Sequence, residues 1–217
     1  MKSLKLTFYS LILFFGLFCL TKSPRAATIN ATNCSVAAIN SAISSATEGD
    51  TVNVPACSET VWPTGVTITK GIALKGAGIG VTNIAVPDAG LGSGNFLITY
   101  APAHPENNAA FNLSGFTFNF KNMSPSSPLS LSLLIQNYDL SHVITKVRIH
   151  HNQWLNCACQ DNPLTNNGFF VTSPGVWGLF DHNYVSGEFC ERSDGTSAGI
   201  DPWSNQTFSY STASNFY

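Results

Sequence analysis

From Cys34 to Ala46, Val36, Ile39, Ala42, Ile43 and Ala46 recur at helical spacing, so one face of this stretch is apolar and the other polar. Thr32 or Asn33 is placed to cap its start, and Gly49 stands where a C-terminal cap belongs. Beyond it the period changes to two. "TVNVP", "VTITK", "IALKG", "TNIAV", "FLITY", "FNLSGFTFNF", "LLIQN", "KVRIHHNQW" and "FFVTS" each alternate as a strand with one buried face does, and Gly, Asn, Pro or Ser punctuates the gaps. The final "FSYSTASNFY" alternates in the same way. The pattern predicts one substantial helix and then many short strands.

Asn-Gly and Asp-Gly turns hardly separate these runs, which argues against a meander of hairpins. A solenoid fits better, each strand lying parallel to its counterpart in the next coil. Aligning "IHHN" (149–152) with "FDHN" (180–183) puts Leu113, Ile149 and Phe180 in one column and Phe118, Trp154 and Val185 in another, at spacings of 36 and 31 residues. Asn152 and Asn183 then lie one above the other at a turn. Asparagine tolerates left-handed backbone there, and stacked amides can bond as a ladder. The same register brings together Cys159 and Cys190, each seven residues past its asparagine. Strands one coil apart are separated by about 4.8 Å, within reach of a disulfide. The expected bridges are Cys159–Cys190 and Cys34–Cys57, with Cys157 free.

The first 27 residues lie outside this array. Lys2 and Lys5 precede the uncharged run Leu6–Leu20, the length of a secretory h-region and short for a membrane span. Residues 1–27 therefore read as a signal peptide, and the mature chain, from about Thr28, as secreted, extracellular or at the cell surface. Four of the ten basic residues belong to this leader, so six remain against twelve acidic ones, a formal charge of −6 rather than −2. That sign excludes a general binder of nucleic acid or anionic membrane. Residues 28–49 form the segment with the capping helix and 50–217 the coils. No polar cap follows Tyr217, and the array is expected to be incomplete at that end.

The segment Asn33–Gly78, with its capping helix, "GDTVNVP", the Trp62 loop and "VTITKGIALKGAG", resembles the start of secreted right-handed parallel β-helices of the pectate lyase (pectin lyase-like) superfamily. An amphipathic helix at an open solenoid end agrees with that likeness physically, because the first coil needs a cover. The resemblance implies an all-β, right-handed parallel β-helix that acts on or binds polysaccharide, with uronate elimination aided by calcium as the catalytic version. The alternative is a non-catalytic adhesin or structural β-helix. "WGLFDHNYVSGEFCERSDGTSAGID" is loosely similar to the Trp-Ile-Asp-His and Asp-Gly elements of pectate lyases at Trp177, Asp181, His182, Asp194, Gly195 and Asp201. Neither Arg148 nor Arg192 begins an Arg-x-Pro, the element that supplies the base in many such lyases, and the paired aspartates of polygalacturonases are absent.

Asp181 and His182 are thus either a calcium or acid–base pair or part of a structural ladder, with Asp181 facing His150 and His182 stacked on His151. Glu188, Glu191, Asp194 and Asp201 around Arg192 either hold calcium and an acidic sugar, with Arg192 catalytic, or form a solvated insertion. Trp177, Trp203, Phe208 and Tyr210 either make a platform for sugar rings or fill the core. Trp62 reads as packing under the cap. Sequons at Asn30, Asn33, Asn112, Asn122 and Asn205 matter only in a host that glycosylates.

Overall fold

The structure is a computed structural model, and it describes residues 25–87, 91, 95–120, 130–157, 170–172, 175–187, 201–202, 208–210 and 215–216. Helix α1 spans Val36–Ser45 and buries Ile39, Ala42 and Ile43. Its N-cap is Ser35, whose side chain accepts the Ala38 N–H at 3.2 Å, while Asn33 caps Ser35 itself at 2.8 Å. The cap thus falls two residues later than Asn33, because several competent side chains stand in a row. Gly49 (φ +88°) lies in the turn beyond and is not the C-cap, which is Ala46. Lys70 closes that end: its ammonium donates to the carbonyls of Ile43, Ser44 and Ala46 at 3.2, 3.1 and 2.6 Å, where the helix dipole favours a cation.

The strands form three parallel sheets. The first contains β1 (Thr28–Asn30), β2 (Thr51–Asn53), β5 (Ala73–Lys75), β8 (Phe111–Ser114), β11 (Ile144–His150), β14 (Val176–Asp181) and β17 (Phe208–Tyr210). In the second are β3 (Cys57–Val61), β6 (Thr82–Ala85), β9 (Thr117–Asn119), β12 (Gln153–Cys157), β15 (Tyr184–Gly187) and β18 (Asn215–Phe216). The third holds β4 (Val66–Ile68), β7 (Asn95–Tyr100), β10 (Ser130–Ile135), β13 (Phe170–Thr172) and β16 (Asp201–Pro202). From β2 onward the chain visits the sheets in rotation, so each sheet gains one strand per circuit and neighbours in a sheet are never neighbours in sequence. The described residues are all-β with parallel strands, apart from α1 and one short 3₁₀ turn at Pro105–Asn107.

Period-two alternation sends one side of each strand inward. Val52, Leu74, Leu113, Ile149 and Phe180 pair in register along the first sheet, and all five are fully buried. Ile84, Phe118 and Trp154 do the same in the second, and Val185 is opposite Trp154 as the columns predicted. Trp154 packs against both Phe118 and Phe180, with centroids 5.6 Å apart in each case. Each such ring removes roughly 2–3 kcal/mol worth of apolar surface from water. In the third sheet, Val66, Ile98 and Leu133 face inward beside Ile68, Tyr100 and Ile135. Burial pushes the Tyr100 hydroxyl up to about 12.

Trp62 lies under the cap, fully buried, and its indole N–H donates to Cys34 O at 2.8 Å. The expected Cys34–Cys57 disulfide is present, with its α-carbons 6.4 Å apart. It links the approach to α1 to the first strand of the second sheet. Cys159 and Cys190 lie outside the described residues, and Cys157 ends β12 opposite Gly187.

Candidate functional site

Two places on this frame concentrate polar side chains. One is the corner between the first and second sheets, where "IHHN" and "FDHN" lie in successive circuits, His150 opposite Asp181. The chain turns by placing Gly115, His151 and His182 in left-handed backbone, at φ 80°, 52° and 53°. Asparagine was expected to take that conformation here, but the residue before it does. The reason is that Asn152 and Asn183 must point inward: both are buried, and their amides bond the backbone of the corner. Asn152 Oδ1 accepts the Phe116 N–H at 3.2 Å and its amide donates to Leu113 O at 2.9 Å, while Asn183 repeats the pattern one circuit on. Among the described residues, Asn108 and Asn156 are the asparagines that do adopt positive φ, and Asn156 adds an outer rung by donating to Asn119 at 2.7 Å.

Outside this ladder the His151 and His182 rings stack in parallel, centroids 4.9 Å apart. Asp181 is only 2% exposed and fully engaged. Arg148 Nε and Nη2 donate to its two oxygens at 2.9 and 2.8 Å, and His182 Nδ1 lies 2.7 Å from Oδ2. The Arg148 hydrogen bonds hold its carboxyl down at about 2 despite burial. A base so weak, with both oxygens taken, is poorly matched to general acid–base work near neutral pH. His150 is held below the usual histidine range, mainly by burial and then by Arg148, and its Nδ1 meets His151 Nδ1 at 2.9 Å. One of these nitrogens must donate and the other accept. The corner therefore has the chemistry of a fastening, and the structural ladder describes its geometry.

Asp139, Ser141 and His142 resemble a hydrolytic triad by residue type. Ser141 Oγ and Asp139 Oδ2 both lie against the same nitrogen, His142 Nδ1, at 3.0 and 2.8 Å. No proton can be relayed across the ring from one to the other, as a triad requires. Among the described residues no group of three or more His, Cys, Asp or Glu is arranged to hold a metal ion.

The second place is the outer face of the third sheet. Thr67, Thr99 and Leu134 form one row across β4, β7 and β10, and register extends that row to Val171 and Asp201. Beside it, Thr69, Ala101 and Gln136 follow the strand ends, Ala101 N bonding Ile68 O and Gln136 N bonding Tyr100 O. These residues floor an open trough made of two depressions of about 510 and 610 Å³ that share Gly65, Thr67 and Thr69. Asn40 and Ser44 of α1 line the first depression, and Phe96, Leu134 and Tyr138 line the second. A Cβ on Gly65 would sit 1.8 Å from Phe96 O, so only glycine lets β4 and β7 approach there.

The sequence-predicted site residues are not gathered in one place. Asp181 and His182 belong to the corner of the first sheet. Trp177 is on the same sheet, in β14, and is 47% exposed. Phe208 and Tyr210 stand in register opposite Gly178 and the core residue Phe180. Asp201 is on the third sheet, in the row of Thr67 and Thr99. Arg192, Glu188, Glu191, Asp194 and Trp203 lie outside the described residues. Sequence reading missed the trough, because threonines at alternate strand positions carry no motif.

Among the described residues no helix is long and apolar enough to cross a membrane. No protein-family model, no curated protein and no solved structure matches this chain.

Proposed function

We propose that the chain is an exported right-handed parallel β-helix protein, of the kind the pectate lyase superfamily exemplifies, and that it binds polysaccharide along the trough of its third sheet. Rotation of the chain among three parallel sheets beneath an amphipathic helix supports the fold reading. The observation that carries the function is the trough itself. It is open, Thr67 and Thr99 are paired in register on its floor with Thr69 and Gln136 beside them, and Phe96 and Tyr138 are part of its lining. A glycan offers the complement: hydroxyls along its edges and apolar ring faces that pack on aromatic side chains. The proposal stops at binding. Elimination from a uronate with calcium would draw on Arg192 and the carboxylates of Glu188, Glu191, Asp194 and Asp201, of which only Asp201, in β16, is among the described residues.

Affinity electrophoresis of the protein in gels containing plant, algal and bacterial polysaccharides tests this reading. Retardation by at least one glycan, reduced about tenfold in affinity by Tyr138→Ala, is the expected result. Migration unaffected by every glycan, or retardation indifferent to trough substitutions, would overturn it. Unsaturated products in the same incubations would extend the function to a lyase.

A further inference from the structure

We infer that the glycan taken by the trough is neutral, and that it binds without calcium. This inference rests on the reading of the trough as a polysaccharide site and names its substrate class. Its basis is the charge of the lining. Among the described residues, none that lines the larger depression is charged: Thr67, Thr69, Thr99 and Gln136 provide the polar groups, and Phe96 and Tyr138 the rings.

A uronate or sulfate polymer needs a cation opposite each anionic group, because an anion stripped of water against an uncharged surface loses several kcal/mol of hydration without return. Among the described residues, the one basic side chain at the trough is Lys70. An ammonium has three hydrogens. Those of Lys70 are directed at the carbonyls of Ile43, Ser44 and Ala46, which leaves none for a ligand. The other described lysines and arginines after the leader are Lys75, Lys146 and Arg148, all on strands of the first sheet. Arg148 is in turn committed to Asp181.

Calcium could substitute for a basic side chain by bridging two anions, as a cation with six or more oxygen ligands does. No cluster of three acidic or metal-binding side chains occurs among the described residues to hold it. A neutral chain escapes all these costs. Each threonine hydroxyl donates one hydrogen bond and accepts others, as sugar hydroxyls do, and exposed Tyr138 offers a ring face at the trough's edge.

The test is affinity electrophoresis of the protein expressed from its full sequence, against neutral glucan, xylan and mannan and against polygalacturonate and alginate, each with calcium chloride and with EDTA. Wild type, Tyr138→Ala, Thr67→Lys and Thr99→Lys are compared, with circular dichroism as the check on folding. Expected are retardation by at least one neutral glycan, unchanged by EDTA, and about tenfold weaker binding in Tyr138→Ala. Polygalacturonate should retard only the lysine variants. Retardation of wild type by a polyanion, abolished by Tyr138→Ala or EDTA, would overturn the neutral assignment and leave the trough a polysaccharide site. No retardation by any glycan, or retardation unchanged in all three variants, would overturn the site together with the assignment.

Discussion

Asn183 accepts two hydrogen bonds from Asn152, one circuit earlier, through a single oxygen: the backbone N–H at 3.0 Å and the side-chain amide at 3.2 Å. Asn152 holds the Phe116 N–H in the same way at 3.2 Å. The corner between the sheets leaves these backbone groups without a strand partner, and the amides supply one.

Asn152→Ala is accordingly expected to orphan the buried Phe116 N–H and to remove a donor from Asn183 Oδ1. Each unpaired buried group costs about 1–3 kcal/mol. A loss of roughly 3 kcal/mol, read as a lower urea midpoint at unchanged slope, is expected for Asn152→Ala and a similar loss for Asn183→Ala. Asn152→Asp keeps the acceptor but not the donor and buries a charge, so it is expected to be no milder. A loss under about 0.5 kcal/mol for both alanine variants would mean that the ladder is incidental.

The pairing of Arg148 with Asp181 predicts a pH dependence. The Asp181 carboxyl is held at about 2 in the folded protein, against roughly 3.9 for an unperturbed aspartate. The unfolded chain therefore takes up the proton first. The stability due to this group is fully present above about pH 5, fades as the pH falls through 4 and is lost as it falls through the folded value near 2. Asp50, Glu106 and Asp139 are also held low, so the effect of Asp181 must be isolated by subtraction. Urea unfolding of wild type and Asp181→Asn from pH 7 to 2 should give a difference on the order of 1–2 kcal/mol at neutral pH that shrinks toward zero on acidification. A difference that persists unchanged at low pH would show that packing, not charge, is lost in the variant.

Much of the register could be read before the structure, and the reason is chemical. Leu113, Ile149 and Phe180 recur with Phe118, Trp154 and Val185 five residues on, so two core columns fix each other. The stacked His151 and His182 and the facing of His150 with Asp181 follow from that alignment. What escaped was long-range or unmarked. Lys70 closes α1 from more than twenty residues downstream, which no local capping pattern reveals. Strand β3, "CSETV", does not alternate in burial, so its sequence lacked a strand signature. The corner's left-handed backbone was assigned to the asparagines, although Gly115 in the same column pointed to the position before them. Thr67 and Thr99 come from different circuits, and nothing in either segment announces that they share a row.

Gly115 and Gly76 bring two circuits into backbone contact. A Cβ on Gly115 would stand 2.5 Å from Gly76 O, and its φ of +80° disfavours any side chain. Gly115→Ala is expected to cost about 2–4 kcal/mol, from left-handed strain together with overpacking. At the equivalent corner His151 already bears the strain, at φ 52°. His151→Gly relieves it and loses the stack on His182, so a net change under about 1 kcal/mol is expected. Thermal unfolding of both variants distinguishes them, and equal losses would refute the assignment of the close contact to Gly115.

The Cys34–Cys57 disulfide makes a last prediction about the cap. Its cysteines are 23 residues apart, and the loop they close contains the whole of α1. Releasing a loop of that length frees the unfolded chain by about 3 kcal/mol. The effect on the folded protein should be local, because Trp62 N–H holds Cys34 O directly and the buried face of α1 packs on β4. The double variant Cys34→Ala/Cys57→Ala is expected to lose about 3 kcal/mol. Amide hydrogen exchange should accelerate most in α1, and Trp62 fluorescence should shift to the red before global unfolding. Strands β11 and β14, several circuits from the cap, should speed up only by the amount that global stability falls. Acceleration in α1 no greater than in β11 and β14 would show that the bridge acts on the unfolded chain alone and that the cap is held by packing.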